Sequence, residues 1–224
     1  HSADGQSHGL TGRPRAPARA NAVNAVGRPV PRGPWPCAMS NVALLLKRRP
    51  AVGDLAAALV YGKIDDTADA PVAVVVHYCA LNDADIHLAE ATMVVPVSAV
   101  PSATHAVVPG IDVCGQRADT GKFVVGIKPC VKQSRGTWAA RVHMRDAWLA
   151  PLPDHLTAAE GAACGTAAAA AAACLRAAAP LLAGGGARAV VVGASGGVGT
   201  LLTALLAREH GAHVIAVCSA RSAP

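Results

Sequence analysis

Aromatic side chains are nearly missing from this chain: one Phe, two Tyr and three Trp make up 3% of its 224 residues. That excludes a core built on large rings and leaves it to small aliphatic groups that each bury little area. It also removes the stacking platforms that hold single-stranded nucleic acid. Paired cysteines are missing too. The seven cysteines, at positions 37, 79, 114, 130, 164, 174 and 218, show no C-x2-C spacing, which argues against a zinc ribbon and against a disulfide framework. They read as free thiols acting as small hydrophobes in a reducing compartment. No stretch reads as long and apolar enough to span a bilayer; residues 166–183 come nearest but are mainly alanine, with Arg176 and Pro180 among them.

Acidic residues are almost absent from the first 49 positions, where eight Lys or Arg stand against Asp4 alone. This stretch carries +7 of a net charge of +6, so the remaining 175 residues sum to −1. A body that is nearly neutral has no basic groove, and nucleic acid is excluded as its partner. Residues 1–38 are rich in Pro, Gly, Ala and Arg without an apolar period, and are expected to form a disordered basic N-terminal extension. They resemble an organelle transit peptide broken by prolines, or upstream sequence ahead of a natural start at Met39. The expected location is cytoplasmic, or organellar if residues 1–38 act as a transit peptide.

What is present is 52% hydrophobic residues, ample for a core. Between residues 42 and 150 short β-rich runs alternate with Gly, Pro and Asp, giving candidate strands at 42–46, 57–61, 72–78, 106–108, 113–117, 138–143 and 148–149. Strands at such intervals predict a compact, barrel-like β domain over 39–155. The character changes at Leu156-Thr157-Ala-Ala-Glu160, where Thr157 and Glu160 have the spacing of a capping box. The alanine tract 167–179 then has a strong helix former at nearly every position. Residues 156–224 read as α/β.

Within that part, Val190-Val-Val-Gly193-Ala-Ser-Gly196-Gly197-Val198-Gly199 reads as a strand, a glycine turn and the start of a helix over 200–208. Three consecutive valines suit a strand buried on both faces. Glycines let the backbone turn tightly and approach a ligand, and the new helix directs unpaired N–H groups at a phosphate. Ser195, Gly196, Gly197, Val198 and Gly199 are therefore dinucleotide-binding candidates. His213-Val-Ile-Ala-Val-Cys-Ser219-Ala-Arg221 reads as a second strand, whose end is where such folds choose between a ribose hydroxyl and a 2′-phosphate. Ser219 and Arg221 favour NADPH, the guanidinium as a phosphate clamp.

Taken with Tyr78-Cys-Ala-Leu81-Asn82-Asp83-Ala-Asp85, Val108-Pro109-Gly110-Ile111-Asp112-Val113-Cys114-Gly115, Gly136-Thr-Trp138-Ala, Asp146-Ala-Trp148-Leu149-Ala-Pro151-Leu152-Pro153, Leu156-Thr157 and Gly165-Thr166-Ala167, the chain resembles the zinc-free medium-chain dehydrogenases/reductases. Within them it is most similar to the acrylyl-CoA reductase and quinone oxidoreductase branch. The resemblance implies an α/β plus β architecture, a GroES-like β-barrel domain followed by the start of a Rossmann domain, with the substrate cleft between them. Complete members continue with further Rossmann strands, so it also implies a fragment, inactive alone, and leaves a homodimer to the full-length protein. Where zinc members carry Cys and a His-Glu pair, this chain has Asn82 and Ile111-Asp112; an amide and an isoleucine cannot replace a thiolate and an imidazole, and no metal is expected.

The chemistry implied by the resemblance is conjugate hydride transfer from NADPH to an activated C=C bond. The substrate would be a small molecule, an enoyl thioester such as acrylyl-CoA or a quinone, and hydrogen-bond donors would steady the charge developing on its carbonyl oxygen. Asn82 lies near the nicotinamide by resemblance. Asn82 and Asp83 are the catalytic candidates, although Asp83 stands where the family commonly has Tyr. Thr166 is the further cofactor-binding candidate, and the family's Thr at position 170 is Ala here. Asp112 reads as capping a turn, and Asn82 has the same alternative. His77 and His87 flank the Asn82 loop as proton donors or plain structural residues, and His143 and His155 have no evident partner. A non-catalytic interaction module that keeps the GroES-like domain is the competing class, since fold likeness does not fix activity.

Overall fold

The computed structural model describes residues 41–66, 68–90, 101, 106–129 and 135–222. The expectations for residues 1–38 and for a start at Met39 lie outside them. The described residues all fall in one compact unit.

The β-rich half begins with β1 (Val42–Leu46), a four-residue helix α1 (Leu55–Ala58) and β2 (Leu59–Lys63). It continues with β3 (Val72–Tyr78), α2 (Asp83–Glu90), β4 (Asp112–Arg117), β5 (Phe123–Ile127), β6 (Arg141–Met144) and β7 (Leu149–Pro151). Strands β3 to β7 form an antiparallel sheet in the order β6-β3-β4-β5-β7, and β1 pairs with β2 as a hairpin that also bridges to Val107 and Ala139. Backbone bonds from Leu44 N–H to the Trp138 carbonyl (2.9 Å) and from Ala140 N–H to the Val42 carbonyl (2.7 Å) tie the hairpin to the rest. Among the described residues the sheet stays open, so the expected closed barrel is corrected to an open sheet with an attached hairpin. Alternation along β3, β4 and β6 sends Val74, Val113, Val142 and Met144 into one buried cluster with Trp138.

Three local readings change. Residues 57–61 begin in helix, because Leu-Ala-Ala-Ala favours it, and pairing starts at Leu59. Asp83 and Asp85 sit in the first turn of α2, where negative charge suits the helix dipole, so the expected turn is a helix start. Phe123-Val-Val-Gly-Ile, which the sequence reading passed over, alternates half-buried and buried positions as β5. Another passed-over residue is Lys128, 1% exposed. Its ammonium donates to Asp69 at 2.9 and 3.2 Å and to the His143 carbonyl at 2.9 Å.

The capping box at Thr157 is present: Glu160 N–H donates to Thr157 Oγ1 and Thr157 N–H to Glu160 Oε2. It starts α3 (Ala158–Leu182), a 25-residue helix that runs past the alanine tract and through Pro180. By length and composition α3 could cross a membrane, with a mean hydropathy of 1.4, which corrects the reading that no stretch could. Here it packs on β3, β4, β5 and α4. Its contact face is cut small: a Cβ on Gly161 would come within 2.5 Å of Leu152 and 2.7 Å of Val125.

Beyond α3, β8 (Arg188–Val192) and β9 (His213–Val217) pair in parallel, joined through α4 (Gly197–Glu209). The helices cover one face of this pair, where Val191 and Leu206 are buried. Val190 and Val192 lie on the other face and are 63% and 80% exposed, so the valine strand is buried on one face rather than two. Alternation is the reason, because helices on one side bury only every second residue.

Replacing Lys128 by Ala removes a buried cation from the Asp69 carboxylate and empties its place. The expected loss is about 3 kcal/mol, read as a lower midpoint in urea unfolding, whereas Lys122→Ala, at an exposed position, leaves the midpoint nearly unchanged.

Candidate active site

The site is organised by a buried carboxylate. Asp112, the first residue of β4, is fully buried. Its Oδ1 accepts the Thr166 backbone N–H at 2.9 Å and the Thr166 hydroxyl at 2.6 Å, while its Oδ2 accepts the Asn82 amide at 3.1 Å. The expected turn cap is thus a bridge between the loop before α2 and the middle of α3. Gly165 makes that approach feasible, since a Cβ there would stand 2.7 Å from Asp112 Oδ1. Thr137 completes the setting by donating its hydroxyl to the Asp112 carbonyl at 2.8 Å.

A second carboxylate, Asp85, approaches from the first turn of α2 and is 2% exposed. Its Oδ2 accepts the Asn82 backbone N–H at 2.8 Å and, at 3.4 Å, the Asn82 side-chain amide. Burial pushes the Asp85 carboxyl up to about 6; the hydrogen bonds from Asn82 oppose this, and the neighbouring Asp112 charge adds to the rise. The sequence reading passed over Asp85, although its signal was an acidic residue three positions after Asn82 at a helix start. Asp83, the catalytic candidate beside it, is exposed in the first turn of α2. The structure therefore gathers Asn82, Asp85, Asp112 and Thr166, and leaves Asp83 outside that hydrogen-bonded group.

Of the histidines flanking the loop, His77 lies where the β3–β4 register shifts, with its ring edge-on to Phe123 at 5.0 Å. Burial lowers its pKa, so it is neutral at pH 7 and a poor proton donor there. His87 is exposed on α2. Cys114 is fully buried and burial pushes its thiol up to about 11, in keeping with an inert packing role.

The glycine turn lies next to this group. Gly197 stands 3.5 Å, measured from a Cβ built on it, from the Cβ of Ala167, the neighbour of Thr166. Gly193 takes a φ of +79°, a conformation that only glycine adopts freely, and the turn closes with a bond from Gly196 N–H to the Gly193 carbonyl. Helix α4 starts with Gly196 as N-cap and no side-chain cap, so no capping side chain takes the first N–H groups, from Gly197 to Gly199. Ser195, Gly196, Gly197 and Val198 are exposed. Gly199 is buried, because a Cβ on it would meet the Gly193 carbonyl at 2.2 Å.

The end of β9 is fastened to the same turn. Gly193 and Ala194 both donate their N–H to the Val217 carbonyl, at 2.9 and 3.0 Å. This brings Ser219 and Arg221 to the edge that carries the glycines; both are exposed, and Ser219 Oγ lies 3.2 Å from Ser222 Oγ.

No family model and no curated protein matches the chain. Solved structures do. The quinone oxidoreductase of Thermus thermophilus, described with its NADPH complex, is 25% identical with a TM-score of 0.63, over 81% of this chain and 55% of its own. The yhdH oxidoreductase of Salmonella enterica, in complex with NADP, is 26% identical with a TM-score of 0.61, over 79% and 55%. CurK enoyl reductase, 17% identical with a TM-score of 0.62, shares the fold over 82% and 55%. The structural neighbours are quinone oxidoreductases and enoyl reductases of the medium-chain dehydrogenase/reductase superfamily. The chain spans about half of their length, at 55% of the first of them.

This geometry has two measurable consequences. Because Asp85 holds its proton more tightly when folded than when unfolded, the stability it contributes is full below pH 4 and lost as pH rises through 6. Asp85→Asn should therefore gain on the unsubstituted protein by up to about 3 kcal/mol between pH 4 and pH 7. Urea unfolding at the two pH values checks this, and a pH-independent difference would contradict it. Gly199→Ala should cost about 3 kcal/mol through its clash with the Gly193 carbonyl, whereas Gly197→Ala, which makes only ordinary contact with Ala167, should cost under about 1 kcal/mol. Thermal melts compare the two.

Proposed function

We propose that the chain carries the cofactor-binding and substrate-facing parts of a zinc-independent, NADPH-dependent oxidoreductase that reduces an activated C=C bond, in an enoyl thioester such as acrylyl-CoA or in a quinone. The observation that carries this reading is the exposed glycine turn, with uncapped N–H groups at the start of α4, beside the Asn82–Asp112–Thr166 group. The residues present suit a dinucleotide. Glycines at 196 and 197 leave open backbone where a side chain would stand, and the N–H groups of Gly197, Val198 and Gly199 provide donors for a diphosphate. Ser219 and Arg221, at the end of β9, would hold a 2′-phosphate, which agrees with neighbours solved with NADPH or NADP.

NADPH supplies a hydride when bound. The chain contributes position and polarity. Thr166 gives its hydroxyl hydrogen to Asp112, so it can offer a ligand only a lone pair. Asn82, which by resemblance stands where zinc members carry a Cys, bonds to Asp112 at 3.1 Å and forms a fixed polar wall with it. Asp85, titrating near neutrality, is a proton reservoir behind that wall. Asp83 is proposed at most for the rim, given its exposure.

Fluorescence titration of the full chain with NADPH and NADH tests the reading. NADPH should bind more tightly than NADH, and Arg221→Ala should weaken NADPH about tenfold while leaving NADH unchanged. Absence of NADPH binding would remove the reductase reading.

A further inference from the structure

A primary amide has two N–H donors on one side and a lone acceptor on the other, and its neighbours decide which side faces a ligand. The Nδ2 of Asn82 lies 3.1 Å from Asp112 Oδ2 and 3.4 Å from Asp85 Oδ2. An ionised carboxylate only accepts, so the atom between the two must be the nitrogen. Turning the amide over would set its carbonyl oxygen against two carboxylate oxygens. Nor can the carboxylates adapt: Asp112 Oδ1 is held by both donors of Thr166, and Asp85 Oδ2 by the Asn82 backbone N–H. Among the described residues nothing bonds to Asn82 Oδ1, and the side chain is half-buried.

We propose that Asp112 and Asp85 are positioning residues that commit the Asn82 amide group inwards, so that the cleft is offered the Asn82 carbonyl oxygen as an acceptor. The ligand group seated there is then a hydrogen-bond donor, a hydroxyl or a carboxamide N–H. Resting on the cofactor reading above, that donor belongs to the ribose or carboxamide at the nicotinamide end of NADPH. Asn82 is thereby excluded from stabilising an enolate oxygen, since acceptor and oxyanion repel. The specificity is set from α3: Thr166 orients Asp112, and Asp112 orients Asn82.

Asp112→Asn is the decisive variant. Thr166 still demands an oxygen at Oδ1, so the new amino group must take the Oδ2 place, where it opposes the Asn82 NH2 and leaves that amide without its inward anchor on Asp112. In the unsubstituted full chain, side-chain 15N–1H spectra should show two separate, slowly exchanging Asn82 protons, assigned by their loss in Asn82→Ala. In Asp112→Asn those protons should exchange at solvent rate, and NADPH should bind about tenfold more weakly, while adenosine 2′,5′-bisphosphate, which lacks the nicotinamide end, binds unchanged. Rapidly exchanging Asn82 protons in the unsubstituted chain would overturn the proposal, as would undiminished NADPH affinity in a folded Asp112→Asn protein. If Asp112→Asn does not fold, the spectrum of the unsubstituted chain decides alone. If neither nucleotide binds the unsubstituted chain, the cofactor reading fails, and the spectrum still decides which way the amide faces.

Discussion

A fully buried carboxylate must be given donors from all around it or it will protonate, and Asp112 meets this demand from two separate elements. Asn82 reaches it from the loop before α2 and Thr166 from within α3. Everything near the site inherits its position from that requirement. Helix α3 can approach only where it lacks side chains, at Gly161 and Gly165, and the approach sets Ala167 beside the glycine turn of α4. A Cβ on Gly165 alone would lie closer to Asp112 than van der Waals contact permits, so one glycine couples the β-rich half to the half that carries the glycine turn.

The two carboxylates play different parts although both are buried. Asp112 receives three donor contacts, spread over both of its oxygens. Asp85 is bonded through Oδ2 to Asn82, and burial raises its pKa to about 6. A carboxylate held on both oxygens and an acid with a raised pKa thus flank one amide. A raised pKa beside a fully hydrogen-bonded carboxylate marks this group as a candidate functional site.

Where the pattern was local, the sequence was legible. Val42–Leu46 and Val72–Tyr78 have the bounds that β-branched runs suggest, and the Thr157 and Glu160 pair starts α3 because its partners are three residues apart. The glycine turn was legible for the same reason: its φ values, its tight closure and its uncapped helix all arise within ten residues of chain. Lys128 was not legible, since its partner Asp69 comes from a distant strand connection and a lone lysine reads as surface. Exposure misled in the opposite sense at Val190 and Val192, where apolar identity does not say which faces are covered.

The sequence by itself therefore determined the order of elements, the capping box at Thr157 and the turn at 193–199, all of which rest on residue chemistry and short-range geometry. Only the tertiary structure decided that Asp112 bridges rather than caps, that Asp85 and not Asp83 bonds to Asn82, and that the sheet stays open among the described residues. The physical reason is that hydrogen-bond partners of buried groups are chosen by what packing brings within about 3 Å, and here those partners lie 30 and 54 residues apart.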